Sequence, residues 1–167
     1  MKRRSKKISL SLLAMVSMSV ASFANEVKTP WYVGAGLTTA VASDSNCEDI
    51  TYGFSGNVGY DINKNIALEV RAIRTNWDYE GGKVKHIGFF VKPQYEINKK
   101  ISIYGLLGYA KSTLSSKKRV DATGMAYGVG AEYSMGSYGL YSDYEYLLQK
   151  SDTPSLDAFS VGVTYNF

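Results

Sequence analysis

Cysteine, histidine and proline are nearly missing from this chain: one, one and three among 167 residues. Cys47 has no partner for an intramolecular disulfide, so the fold is not a small disulfide-stapled one. One histidine and one cysteine, well separated in sequence, do not make a zinc site, and no metal or cofactor is expected. The Gly–X–Gly runs lie inside strand-like segments with no helix after them, so they are not phosphate-binding loops. No stretch carries a sustained helical stripe.

What is present begins with a targeting signal. Met1–Lys7 carries five cations and no acid, an apolar run follows from Ile8 to Val20, and Ala21-Ser22-Phe23-Ala24 offers small residues for cleavage. This reads as a secretory signal peptide over residues 1–24, too short for a transmembrane helix. Its removal changes the charge argument. The whole chain has 19 Lys and Arg against 15 Asp and Glu. Five of those cations leave with the signal, so 14 remain against 15 acids. The basic character of the precursor is therefore no case for nucleic-acid binding. Cys47 lies well past the cleavage site and is not a lipoprotein anchor.

Residues 25–167 alternate apolar and small or polar side chains. Eight strands are predicted: 31–41, 50–61, 66–76, 85–97, 101–112, 123–134, 138–148 and 158–167. Tight turns rich in Asn, Gly and Lys (Asp61–Asn65, Ile97–Lys100, Met135–Ser137) alternate with longer polar segments at Ala42–Asp49, Trp77–Val84, Thr113–Ala122 and Gln149–Asp157. Short turns on one side and long loops on the other predict an all-β, eight-stranded antiparallel up-and-down transmembrane barrel, short turns periplasmic. No soluble domain is expected after it.

Parity assigns the faces. Ile66, Leu68, Val70 and Ala72 oppose Ala67, Glu69 and Arg71. Met125, Tyr127, Val129, Ala131 and Tyr133 oppose a row of Gly, Ala and Glu132. One face is almost free of charge, as lipid requires, since a cation at the bilayer midplane costs about 2–4 kcal/mol. Two aromatic girdles are expected: Trp31, Tyr60, Tyr95, Tyr133, Tyr138, Tyr165 and Phe167 at the periplasmic ends, and Tyr52, Tyr109, Tyr146 and Phe159 at the external ends. Pro93 breaks the pattern of the fourth strand; a bulge or a slip of parity is expected there.

Taken together, Trp31-Tyr32-Val33-Gly34-Ala35-Gly36, Gly128-Val129-Gly130-Ala131-Glu132-Tyr133, Tyr144-Glu145-Tyr146 and the final Val163-Thr164-Tyr165-Asn166-Phe167 resemble the small OmpA/OmpX-type (Ail-like, opacity-type) outer-membrane barrels. The resemblance spans nearly all of residues 25–167. It implies a location in the cell outer membrane and a C-terminal aromatic signal, Tyr165 and Phe167, read by the barrel assembly machinery. It does not choose an activity, because members include structural barrels, adhesins, serum-resistance proteins and some lipid-modifying enzymes.

Three features could carry chemistry. Parity points Glu69, Arg71, Lys92, Glu96, Glu132, Asp143 and Glu145 inward, as a salt-bridged plug or as a narrow cation-preferring passage. His86 lies at the outer end of the fourth strand. Lipid A deacylases of similar size use a histidine–serine pair, but His86-Ile87-Gly88 lacks the serine two residues on. The segment Lys111–Arg119 carries Lys111, Lys117, Lys118 and Arg119 without an acid, and would attract lipopolysaccharide phosphates or anionic host and surface glycans. Trp77 and Tyr79 suit either a girdle or a protein contact, and the acidic Ser43–Asp49 loop could take a divalent cation. The expectation is a non-enzymatic barrel with a packed polar interior, structural or adhesin-like through its external loops, surrounded by outer-membrane lipids and lipopolysaccharide. The alternatives are a low-conductance porin-like channel and a lipid A-modifying enzyme.

Overall fold

Alternation of side chains is what the chain turns into structure. In a computed structural model that describes residues 29–44, 47–76, 83–115, 119–148 and 155–167, eight strands follow in order. They are β1 (Trp31–Asp44), β2 (Cys47–Asn63), β3 (Ile66–Asn76), β4 (Lys83–Glu96), β5 (Ile101–Ser115), β6 (Arg119–Met135), β7 (Tyr138–Leu148) and β8 (Ser155–Asn166). Each pairs antiparallel with the next, and β1 pairs with β8 from Tyr32–Asn166 to Ser43–Ser155, closing the barrel. Closure leaves no strand edge unpaired, the condition for spanning hydrocarbon.

The short turns form for reasons of local chemistry. Asn63 Oδ1 accepts from the Asn65 backbone N–H at 2.8 Å. Asn98 Oδ1 accepts from the N–H groups of Lys100 and Ile101, both at 2.9 Å. Gly136, with φ of 81°, supplies the left-handed residue of the β6–β7 turn.

At the external end the strands run further than expected. β1 and β2 stay paired to Asp44–Cys47, and β5 and β6 to Ser115–Arg119. Pairing continues past the point where the sequence turns polar, because ladder hydrogen bonds do not require apolar side chains.

Pro93 produces neither the expected bulge nor a slip. The β4–β5 ladder omits the Lys92–Leu106 and Pro93–Gly105 pairs, yet Val91–Leu107 and Gln94–Tyr104 keep one register across the gap. Among the described residues, register shifts occur instead at Asp61/Asn63 and Tyr146/Leu148.

The two faces differ in kind. Outward Phe54 and Met125 are 72% and 73% exposed, too open for a soluble core. Inward side chains form layers, with the apolar cluster of Ala40, Ile73, Val84, Leu147, Leu156 and Ala158 toward the external end. Nearer the middle lie Phe90, Tyr104, Leu106, Ala110 and Ala126.

Candidate functional site

Inside the barrel, Arg71 of β3 reaches across the lumen to β7, on the opposite wall. Its guanidinium is paired with Glu69 (2.7 Å), Asp143 (2.7 Å) and Glu145. All four side chains are buried. Tyr104 donates its hydroxyl to Asp143 at 2.9 Å, and Tyr32 donates to Glu69 at 2.6 Å. Lys92 lies 3.7 Å from both Glu69 and Glu132. Its ammonium also sits over the rings of Tyr32 (4.8 Å) and Tyr104 (4.2 Å). Thr164 donates to Glu132 at 2.9 Å. Six of the seven residues that parity points inward thus share one network. Glu96 does not: β4 ends there, and the residue is exposed at the periplasmic mouth. It lines a polar cavity of about 170 Å³ together with Asp61, Lys64, Gln94 and Lys92 at its inner end.

The serine missing beside His86 in sequence is supplied by another strand. His86 of β4 and Ser112 of β5 are cross-strand partners, and Nδ1 lies 2.9 Å from Oγ. Ser112 Oγ also reaches the Leu147 carbonyl at 3.4 Å. Both residues are 3% exposed inside the barrel. His86 Nε2 has no hydrogen-bond partner, so no carboxylate orients this imidazole.

The external end presents a different surface. Arg74 on β3 is the direct partner of Lys85 on β4. Both point outward and are exposed, as are Lys83 on β4 and Lys111 on β5. On each strand they directly follow the outward, lipid-type row: Ala72 then Arg74, Ile87 then Lys85, Tyr109 then Lys111. Long cationic side chains at that level reach the interface while their stems lie on apolar surface.

Of the basic segment read from sequence, Lys111 joins this patch. Lys117 and Lys118 lie outside the described residues, as do Trp77 and Tyr79, and of Arg119 the backbone pairing with Ser115 is described. Sequence reasoning missed Arg74, Lys83 and Lys85. The same parity that placed Arg71 inward places Arg74 outward, so the signal was there.

Aromatic pairs occupy both ends. Trp31 meets Tyr60 edge to face at 5.0 Å, Tyr138 meets Tyr165 at 5.1 Å, and Tyr127 stacks on Tyr146 at 4.9 Å. Tyr165 thereby locks β8 to β7 at the periplasmic boundary.

Residues 10–167 match the family model of the outer membrane protein beta-barrel domain. The chain belongs to that family. Its place is therefore the cell outer membrane, with the apolar outer face against lipid. Among curated proteins it is similar to the attachment invasion locus protein of Yersinia enterocolitica, 22% identical over 172 residues, covering 94% of this chain and 96% of that one. Among solved structures it is similar to Ail of Yersinia pestis in complex with the heparin analogue sucrose octasulfate. That match has a TM-score of 0.66 and 22% identity, and covers 84% of this chain and all of the other. It is also similar to Neisserial surface protein A, with a TM-score of 0.67, 19% identity, and coverage of 83% and 98%. At these identities the solved structures speak for the fold.

Proposed function

We propose that this barrel is a non-enzymatic surface-interaction protein whose basic external end engages anionic glycans and lipopolysaccharide phosphates. One observation carries the reading: Arg74 faces Lys85 across the β3–β4 ladder, with Lys83 and Lys111 beside them. Like charges directly opposite each other destabilise a sheet, and a shared anion reverses the sign of that interaction. The likeness to a relative crystallised with a sulfated heparin analogue supports the same chemistry.

The interior supports a scaffold role. Arg71 and its three carboxylates span the lumen, and apolar side chains fill the layer above them. The buried position of His86 and Ser112, away from lipid, supports a non-enzymatic reading. The reading includes export by a signal peptide cleaved after Ala24, and recognition of Tyr165 and Phe167 by the assembly machinery.

The test is binding of heparin and of lipopolysaccharide by the refolded mature chain, compared with Arg74→Ser/Lys85→Ser and with Lys117→Ser/Lys118→Ser/Arg119→Ser. Salt-sensitive binding lost in the first variant assigns the wall patch, and loss in the second alone assigns the loop. Binding unchanged in both removes the basic end from the function. A second reading, a narrow cation-preferring passage, draws on four inward carboxylates around two cations and on the cavity at the periplasmic mouth. Discrete conductance steps in planar bilayers would favour it.

A further inference from the structure

The outer wall of the barrel is not uniformly covered by side chains. On β4 and β5, in the periplasmic half, lies an open apolar depression of about 610 Å³. Its floor is Pro93 and Gly105, and its sides are Tyr95, Ile103 and Val129. Tyr95, Ile103 and Val129 are 65%, 46% and 67% exposed, so the depression stands open on the outer wall.

Packing does not require this gap. A Cβ built at Gly105 would meet Pro93 Cγ at 3.5 Å and the Gly128 carbonyl at 3.9 Å, both ordinary contacts. Gly59 and Gly108 differ, because a side chain at either would strike its neighbours. The ladder is also interrupted here: Pro93 has no N–H to donate, and its pair with Gly105 is absent. The wall is therefore thinned and grooved at a position where a larger residue would fit.

What fills the groove follows from where it is. In a member of an outer-membrane barrel family this face lies in hydrocarbon, where no water-soluble ligand reaches. Gly105 is five residues above Lys100, roughly 12 Å along the membrane normal for a strand tilted by about 40°. That height is within the hydrocarbon of the inner leaflet, about 15 Å thick. The turn beneath, Ile97–Lys100, carries Lys99 and Lys100, both exposed. These lysines also line the periplasmic mouth beside Glu96. Their flexible stems put two cations at the level where a phosphate would sit if its acyl chain lay in the groove.

We infer that the β4–β5 groove holds an acyl chain of an anionic inner-leaflet phospholipid, with its headgroup on Lys99 and Lys100. This site is separate from the external basic patch and stands or falls independently of it. The test uses the refolded mature chain in detergent, offered equimolar phosphatidylglycerol and phosphatidylcholine with identical acyl chains, and read by native mass spectrometry. The wild type should retain phosphatidylglycerol in preference. Gly105→Leu should lower retention of both lipids by about tenfold. Lys99→Ser/Lys100→Ser should keep lipid binding and lose the preference. Heat-modifiable migration checks folding of each variant, and Gly105→Val replaces the leucine variant if that one fails. Retention unchanged by the groove-filling substitution would overturn the groove. A preference unchanged by the lysine substitutions would overturn the headgroup assignment.

Discussion

Arg74 and Lys85 face each other across the β3–β4 ladder, both on the outer wall at the external end. Like charges directly opposite each other destabilise strand pairing. Lys85→Ser should therefore leave the folded barrel as stable as the wild type or slightly more so. The same change should weaken heparin or lipopolysaccharide binding several-fold at low salt. Urea unfolding in lipid vesicles, run beside a salt-dependent binding assay, separates the two effects. Lower stability with unchanged binding would mean that the cations serve the fold.

Arg71 is the opposite case. Replacing it with Met leaves Asp143 and Glu145 buried without a cation, and Glu69 with Lys92 alone. Removing one partner of a buried ionic group costs about 3–5 kcal/mol. The denaturant midpoint of the Arg71→Met barrel should fall accordingly. A midpoint close to that of the wild type would show the carboxylates to be compensated by other means.

Two glycines make a sharp contrast. A Cβ at Gly59 would run into the Tyr32 ring, whose hydroxyl is held by Glu69, whereas a Cβ at Gly124 meets nothing within 4 Å. Gly59→Ala should destabilise by about 1–3 kcal/mol through overpacking. Gly124→Ala should stay within about 0.5 kcal/mol of the wild type. Equal effects would show that Tyr32 moves aside at little cost.

Much of this architecture could be read from the residues. Period two separates Ile66, Leu68 and Val70 from Glu69 and Arg71 because lipid excludes charge from one face, and that constraint repeats in every strand. Strand ends beyond the membrane were harder to see. Ser43 and Asp44 read as loop because they are polar, yet backbone pairing is indifferent to polarity once water is available. The His86–Ser112 pair was invisible, since the cross-strand register that joins residues 26 apart is written in no local spacing. Arg74, Lys83 and Lys85 were overlooked for another reason. Cations scattered over two strands do not form a run in sequence, although the sheet assembles them into a patch.

Ion flow offers a further check. The cavity at the periplasmic mouth reaches inward to Lys92, which sits between Glu69 and Glu132. Planar-bilayer recordings of the refolded chain should show no discrete openings. Openings altered by Lys92→Met would instead support the cation-preferring passage.

Lipid A should keep its mass when the protein is expressed, with or without His86→Ala. His86 and Ser112 are buried inside the wall, and His86 Nε2 meets no carboxylate. A mass change abolished by His86→Ala would restore the enzymatic alternative.

The span of Arg71 from β3 to β7 also bears on how the barrel tells a correct closure from an incorrect one. Those two strands are not neighbours, so no ladder hydrogen bond compares their heights. A slip of one residue anywhere in β3 would turn Arg71 out to lipid and Val70 in. In lipid the guanidinium would cost about 2–4 kcal/mol, and Asp143 and Glu145 would lose their counter-charge. A single side chain thus works as a gauge laid across the lumen, able to settle only when two distant walls arrive at the same level.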